Sequence, residues 1–376
     1  MVSDNRVLLL GATGFTGKLV AEQLLKSGAA PILVGRDPDK LRSLTAQMQD
    51  FAVAQQEIEW AVADVTDPSS IRALLKSPQD VMISTIGPFA RLGHSPVAAA
   101  IDAGAAYLDC TGESAFVQQI FSEYDRQARQ TGARLLTAFG FDYVPGNLAA
   151  ALLMERQSSE EIVRIDIGYF VTGNFAPSSG TMASAAGAVV DPSYRFQDGV
   201  ISSERAGSRS LDFEVGDRQL SGVSVGGTEQ FALPRRYPAL RTVNTQVGWI
   251  GRWSKAWSTA GALVGGAMQV PGVGAAMGAV MRGAIGGASD TGPPVHRRRR
   301  NRSVVVAVGR DASGEKVDQV QVEGPDPYDM TAGLLTWGSG MLARGKETTV
   351  GALGPVDAFN IDPLVAGCLA LGLADV

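Results

Sequence analysis

Val7-Leu-Leu-Leu10-Gly11-Ala-Thr-Gly14-Phe-Thr-Gly17 is a short apolar run followed at once by three glycines spaced three apart. The run has the length and apolarity of a buried strand, and Phe15–Lys26 behind it carries a helical pattern. Glycine suits such a junction: the chain must turn tightly, backbone N–H groups must come close to a ligand, and the helix must pack on the strand. A helix start placed there offers unpaired N–H donors and a positive dipole end to a phosphate. Taken alone, the same glycines also describe a plain strand-to-helix turn. The surrounding chain decides between the two readings.

Outward from this junction, apolar β-rich runs alternate with helical patterns. Expected strands are Arg6–Leu10, Pro31–Gly35, Ile58–Ala63, Asp80–Thr85, Ala106–Asp109 and Arg134–Ala138. Expected helices are Phe15–Lys26, Pro38–Met48, Pro68–Leu75, Ser95–Ala103 and Ser114–Arg129, several of them opened by Asp, Ser or Pro. Strands joined by such crossovers make a doubly wound parallel sheet, an α/β fold of Rossmann type assigned to residues 1–150. After Phe139 the texture changes, and Pro145 with Asn147–Met154 reads as a helix leaving the sheet.

Residues 151–324 then read as an α+β domain with a largely antiparallel sheet. Its expected strands are Ile162–Thr172, Arg209–Val215, Gly227–Leu233, Leu240–Trp249, Arg302–Val308 and Gln319–Val322, the last two joined by a turn at Asp311–Gly314. Further helices are expected after Ser178–Gly180, from Asp326–Tyr328, and over Pro363–Leu373.

A chain of 376 residues exceeds the ~250–300 that one core usually supports. Its net charge of -5 argues against nucleic-acid binding, which calls for a basic domain or stripe. Two cysteines, Cys110 and Cys368, make no disulfide framework, and neither they nor the two histidines have metal-ligand spacing, so no metal is expected. No export signal is read at the N-terminus, which gives a cytoplasmic expectation. The uncharged stretch Ala256–Met281 is Gly/Ala-rich and broken by Pro271, which suits a packed or surface-lying helix pair better than a membrane span.

With the alternation in place, Gly11, Thr13, Gly14, Phe15, Thr16 and Gly17 form a dinucleotide-binding loop. NAD binders carry an acid at the end of the second strand, whereas this chain has Arg36, with Lys40 four residues on. Positive charge there fits a 2′-phosphate, so the expected cofactor is NADPH, although Asp37 and Asp39 offset part of that charge. Asp64 and Val65 follow the third strand, where adenine contacts fall. Thr85, Gly87, Pro88 and Phe89 follow the fourth, beside the nicotinamide half.

For chemistry, the Tyr-x-x-x-Lys pair of short-chain dehydrogenases is missing, because Tyr107, Tyr124 and Tyr143 precede Thr111, Ala128 and Asn147 at that spacing. Proton donors are then sought on the loops after the fifth and sixth strands. These carry Asp109, Thr111 and Glu113 on one and Asp142 with Tyr143 on the other. Tyr143 is the first choice and Asp142 its companion, with loop hydrogen bonding as the ordinary role of the acids. Pro177–Thr181 could open a small-residue helix over Met182–Ala188 toward an anionic or carbonyl group. His296-Arg-Arg-Arg-Arg300 with Arg302 could meet membrane phosphates or a carrier protein, or could simply be solvated.

Gly11–Gly17, Ile86–Phe89, Tyr107-Leu-Asp-Cys-Thr-Gly-Glu113, Phe139-Gly-Phe-Asp-Tyr-Val-Pro145 and Gly324-Pro-Asp-Pro-Tyr328 together resemble the saccharopine dehydrogenase-like oxidoreductases, especially the bacterial branch that includes trans-acting enoyl reductases. The resemblance implies a Rossmann domain, an inserted domain with a curved antiparallel sheet, and C-terminal helices, here 325–376, that return to the first domain. It implies an NADPH-dependent oxidoreductase reducing a C=C, C=O or C=N bond of a small or lipid- or polyketide-like metabolite. An amino-acid-type C–N dehydrogenase, and a non-catalytic dinucleotide-binding scaffold or membrane-associated sensor, remain open alongside it, as does a homodimer.

Overall fold

The computed structural model describes residues 6–53, 57–156, 160–173, 175–178, 180–182, 184, 192–248, 292–345 and 348–375. The stretch Ala256–Met281, Trp249, and all of Met182–Ala188 except residues 182 and 184 lie outside them. The chain divides into two compact units.

The first unit comprises Met1–Thr111, Phe116–Val144 and Tyr328–Leu371. Its strands are β1 (Val7–Leu10), β2 (Pro31–Gly35), β3 (Trp60–Val62), β4 (Val81–Ser84), β5 (Ala106–Asp109), β6 (Arg134–Leu136) and β15 (Gly351–Ala352). They form one sheet in the order β15-β6-β5-β4-β1-β2-β3, every pair parallel. β1, β4 and β5 are buried at every position, as a sheet covered on both faces requires. Helix α1 (Phe15–Lys26) turns Gly17, Val20, Ala21, Leu24 and Leu25 inward, the stripe its spacing dictates. Helix α2 (Pro38–Met48) starts where Asp37 accepts from the N–H groups of Asp39 and Lys40, with proline in the first turn.

Two sequence expectations need correction here. The helix expected over Ser114–Arg129 is interrupted by a π-helical turn at Ile120–Tyr124. The sheet has a seventh strand, β15, whose two residues escape any periodicity test. Gly351 N–H donates to Ala133 O at 2.8 Å, and Ala352 N–H to the Asp125 carboxylate at 2.7 Å.

The second unit comprises Gly112–Ala115, Pro145–Pro327 and Gly372–Val376. Its strands are β7 (Arg164–Thr172), β8 (Ser193–Gln197), β9 (Val200–Glu204), β10 (Ser210–Val215), β11 (Arg218–Val225), β12 (Thr242–Val247), β13 (Arg302–Arg310), β14 (Lys316–Gly324) and β16 (Ala374–Asp375). The path runs β10-β11-β12-β7-β13-β14-β16, with β8 paired to β12 and β9. Only β12 and β7 are parallel, so the sheet is mixed and largely antiparallel. Phe170, Phe213, Val304, Val306 and Val308 form a buried cluster on one face, where the two phenylalanine rings meet edge-on at 5.6 Å. Ile165, Ile167 and Tyr169 alternate onto the other face.

Gly227–Leu233, expected as a strand, contains most of a helix, Glu229–Arg236. Its alternating pattern misleads because two polar side chains turn inward to buried partners. Glu229 accepts from the Tyr169 hydroxyl at 2.6 Å, and Gln230 accepts from Gly227 N–H at 2.7 Å while donating to Val225 O.

Candidate functional site

Because all seven strands of the first sheet run parallel, the loops that follow them leave from one edge. β1 lies between β4 and β2, so the crossovers diverge on either side of it and leave a crevice at that edge. The glycine loop, Arg36, Asp64, Thr85 and Asp142 follow these strands, and Asp109 is the last residue of β5. The structure therefore brings the residues singled out from sequence to the same side of the sheet.

The glycine loop is shaped for a close ligand. Gly11 has φ +79°, and a Cβ there would lie 2.7 Å from both Thr85 Oγ1 and Ile86 Cγ1. At Gly17 a Cβ would fall 2.1 Å from Gly11 O, so the helix can seat on the loop only without a side chain. Gly14 is the N-cap of α1, no side chain among the described residues caps that helix, and its first turn holds no acid. The positive end of the helix dipole at this point suits an anion. Thr13, Phe15 and Thr16 are partly exposed around it. Thr85 fixes the loop from the neighbouring strand, its N–H donating to Leu10 O at 3.0 Å and its hydroxyl shared between Leu10 O and Gly11 O.

At the end of β2 the local acids are occupied. Asp37 caps α2, and Asp39 pairs with Arg42 at 2.7 Å. Arg36 and Lys40 are exposed. Asp64 accepts from the N–H and the hydroxyl of Thr66 at 2.8 and 2.7 Å, and these bonds, with Arg36 nearby, hold its carboxyl below the usual range. Val65 is half-buried beside it. Gly87 and Pro88 are joined by a cis peptide bond, and the Phe89 ring is buried 5.8 Å from that of Phe116.

The two candidate proton-donor loops differ in kind. Asp109 is fully buried and fully used: its carboxylate accepts from the N–H groups of Thr111 and Ala138 and from the Thr137 hydroxyl, each at 2.9 Å. It clamps two loops together, although burial still pushes its pKa up to about 6. Glu113, in the second unit, accepts from the Ser184 hydroxyl at 2.8 Å.

The other loop, residues 137–144, carries Ala138 with φ +53°, a conformation costly to a residue with a side chain. It is held by Tyr143 N–H on Ala138 O at 2.7 Å and Val144 N–H on Gly140 O at 3.1 Å, and it includes a cis bond between Asp142 and Tyr143. Asp142 Oδ1 is closed off from solvent and has no hydrogen-bond partner among the described residues, and burial pushes the carboxyl up to about 7. Tyr143 is 2% exposed.

Sequence reasoning missed what supports this loop. Thr331, on the long helix Pro327–Ala343, accepts from Phe141 N–H at 3.0 Å, and a Cβ on Gly140 would lie 2.8 Å from Thr331 Cγ2. One turn earlier, Tyr328 meets the ring of Phe15 edge-on at 5.1 Å. The Gly324–Tyr328 motif marks the helix start but says nothing of these partners. No group of three or more His, Cys, Asp or Glu among the described residues could hold a metal.

A parallel sheet with a glycine loop opening a helix at its carboxyl edge is the architecture of a dinucleotide-binding domain. Comparison with known families makes this specific. Residues 7–136 match the saccharopine dehydrogenase NADP binding domain, which makes NADP(H) the cofactor. The chain is 38% identical over 154 residues to the trans-acting enoyl reductase of Mycobacterium tuberculosis strain H37Rv, covering 40% of this chain and 35% of that protein. The Mycobacterium leprae trans-acting enoyl reductase is 40% identical over 152 residues, with the same coverage. A putative trans-acting enoyl reductase of Mycobacterium tuberculosis is 34% identical over 204 residues, 51% of this chain and 46% of that protein. The matched region thus spans between about a third and a half of these relatives' length. A short-chain oxidoreductase from Pseudomonas aeruginosa overlaps with TM-score 0.30 and 18% identity, over 36% of this chain and 69% of that one.

Proposed function

We propose that the chain is an NADPH-dependent reductase of a polarised double bond, and that the bond is the C=C of an acyl or polyketide-like substrate made by a separate synthase. The observation that carries the reading is a carboxyl oxygen, Asp142 Oδ1, closed off from solvent on the same sheet edge as a glycine-lined helix start, with the carboxyl pushed up to about 7. The relatives named as trans-acting enoyl reductases support the choice of C=C over C=O or C=N, and of a substrate delivered from elsewhere.

Bound NADPH supplies the hydride. Gly11, Gly14 and Gly17 clear the space for its pyrophosphate, the start of α1 with Thr13, Phe15 and Thr16 receives the phosphates, and Arg36 with Lys40 meets the 2′-phosphate. Asp64 and Val65 border the adenine, and Thr85, Gly87, Pro88 and Phe89 border the nicotinamide half. With its carboxyl raised to about 7, Asp142 carries a proton in a large fraction of molecules at neutral pH and delivers it to the carbon or oxygen that becomes basic as the double bond is reduced. Tyr143, adjacent and buried, orients that carboxyl or substitutes for it as donor.

The test is a fluorescence titration with NADPH and with NADH, followed by single-turnover oxidation of bound NADPH by an enoyl thioester, a ketone and an imine. Tight NADPH binding and oxidation by the enoyl thioester alone are expected. Oxidation by the imine alone would move the assignment to C–N chemistry, binding without any oxidation would leave a scaffold, and no binding would overturn the reading altogether.

A further inference from the structure

Val295-His-Arg-Arg-Arg-Arg-Asn-Arg302 is a concentrated run of positive charge in a chain of net charge -5. A merely solvated run needs no fixed form, yet this one is built. Val295–Arg298 is a helical turn opened by Pro294. Arg298 folds inward, 6% exposed, and its Nη1 donates to Pro293 O at 2.9 Å. Asn301 is buried too, its Nδ2 donating to Asp326 Oδ2 at 2.7 Å. Arg302 closes the turn by donating to the carbonyls of Arg299 and Asn301.

These anchors leave Arg297, Arg299 and Arg300 exposed, with no acidic side chain paired to them among the described residues. Beside them stands Val295, an apolar side chain 52% exposed.

We propose that this turn is a docking surface for an anionic lipid bilayer. Arg297, Arg299 and Arg300 meet headgroup phosphates, and Val295 enters the interface. Charge complementarity alone would suit an acidic protein as well. The exposed valine among the arginines favours a surface that is anionic outside and apolar beneath. No helix among the described residues is long and apolar enough to cross a membrane, and the contact proposed is a peripheral one. The inference does not rest on the reductase reading.

The test is flotation of the full chain with vesicles of phosphatidylcholine alone or with phosphatidylglycerol added. Each basic side chain near an anionic surface strengthens binding roughly fivefold, so the combined Arg297→Ala, Arg299→Ala and Arg300→Ala variant should lose about a hundredfold in partitioning. Binding should require phosphatidylglycerol and weaken with salt, and Val295→Asp should weaken it further. NADPH titration serves as the folding control and should be unchanged in every variant. Equal binding to both vesicles, no binding to either, or an unaffected triple variant would overturn the proposal. Loss of contact with an acidic carrier protein in the triple variant, without vesicle binding by the wild type, would assign the surface to a protein instead.

Discussion

Asp142 shows most sharply how position makes chemistry. An ordinary aspartate is ionised at neutral pH, but here burial raises the carboxyl from 3.8 to about 7. The consequence for stability has a definite sign. At low pH the group is protonated in both states; between about pH 4 and 7 the unfolded chain ionises and the folded chain does not, so stability falls as pH rises and levels off above the folded value. Asp142→Asn should therefore match the wild type near pH 4 and be more stable near pH 8 in urea melts; equal midpoints at both would refute the raised pKa. The same variant should bind NADPH normally and lose about 10²- to 10⁴-fold in single-turnover reduction. Arg36→Asp makes the complementary case: it should weaken NADPH by roughly tenfold or more and spare NADH, because the contact proposed for Arg36 is to the 2′-phosphate that NADH lacks. The glycines and Arg36 were legible in the sequence because backbone conformation and local charge act where they stand. The Asp142 shift was not, since it depends on what closes off Oδ1 in the folded chain.

At the scale of elements, the helix Pro327–Ala343 links the two loops of the candidate site within the first unit. Tyr328 packs on Phe15 of the glycine loop, and three residues on Thr331 takes the N–H of Phe141. Thr331→Val keeps the shape but strands that N–H, at a cost of about 1–3 kcal/mol, whereas Thr331→Ser should restore it. If the hydrogen bond positions Asp142, Thr331→Val lowers the reduction rate and shifts its pH profile while leaving NADPH affinity unchanged. A fall in thermal midpoint alone, with the profile intact, would confine Thr331 to stability. Local chemistry also explains which elements could be read. The hairpin of β13 and β14 was visible because Asp311 accepts from the N–H groups of Ser313 and Glu315 and Gly314 takes φ +91°. β8 and β9 were overlooked although Asp198 and Gly199, with φ +53° and +82°, make the kind of two-residue turn that marks a hairpin.

For the molecule as a whole, the parallel sheet was readable because six of its strands follow one another with crossovers between them, while its last strand arrives from more than 200 residues away in sequence. That distance has an energetic counterpart. Phe139, 1% exposed, lies parallel to the Trp337 ring at 6.4 Å and edge-on to Phe359 at 5.6 Å, and a Cβ on Gly338 would be 2.6 Å from it. Residues from the far end of the sequence thus cover the start of the loop that carries Asp142. A fragment ending at residue 150 contains every cofactor-contact residue proposed above, yet it lacks Trp337, Phe359, Thr331 and β15. Uncovering one large aromatic costs about 2–3 kcal/mol of burial, a large share of the ~5–15 kcal/mol that holds a domain together. The fragment should melt without a cooperative transition and bind NADPH more weakly than the full chain. A circular-dichroism melt within a few degrees of the full chain, with equal NADPH affinity, would mean that the C-terminal segment serves the Asp142 loop alone and leaves the dinucleotide fold self-sufficient.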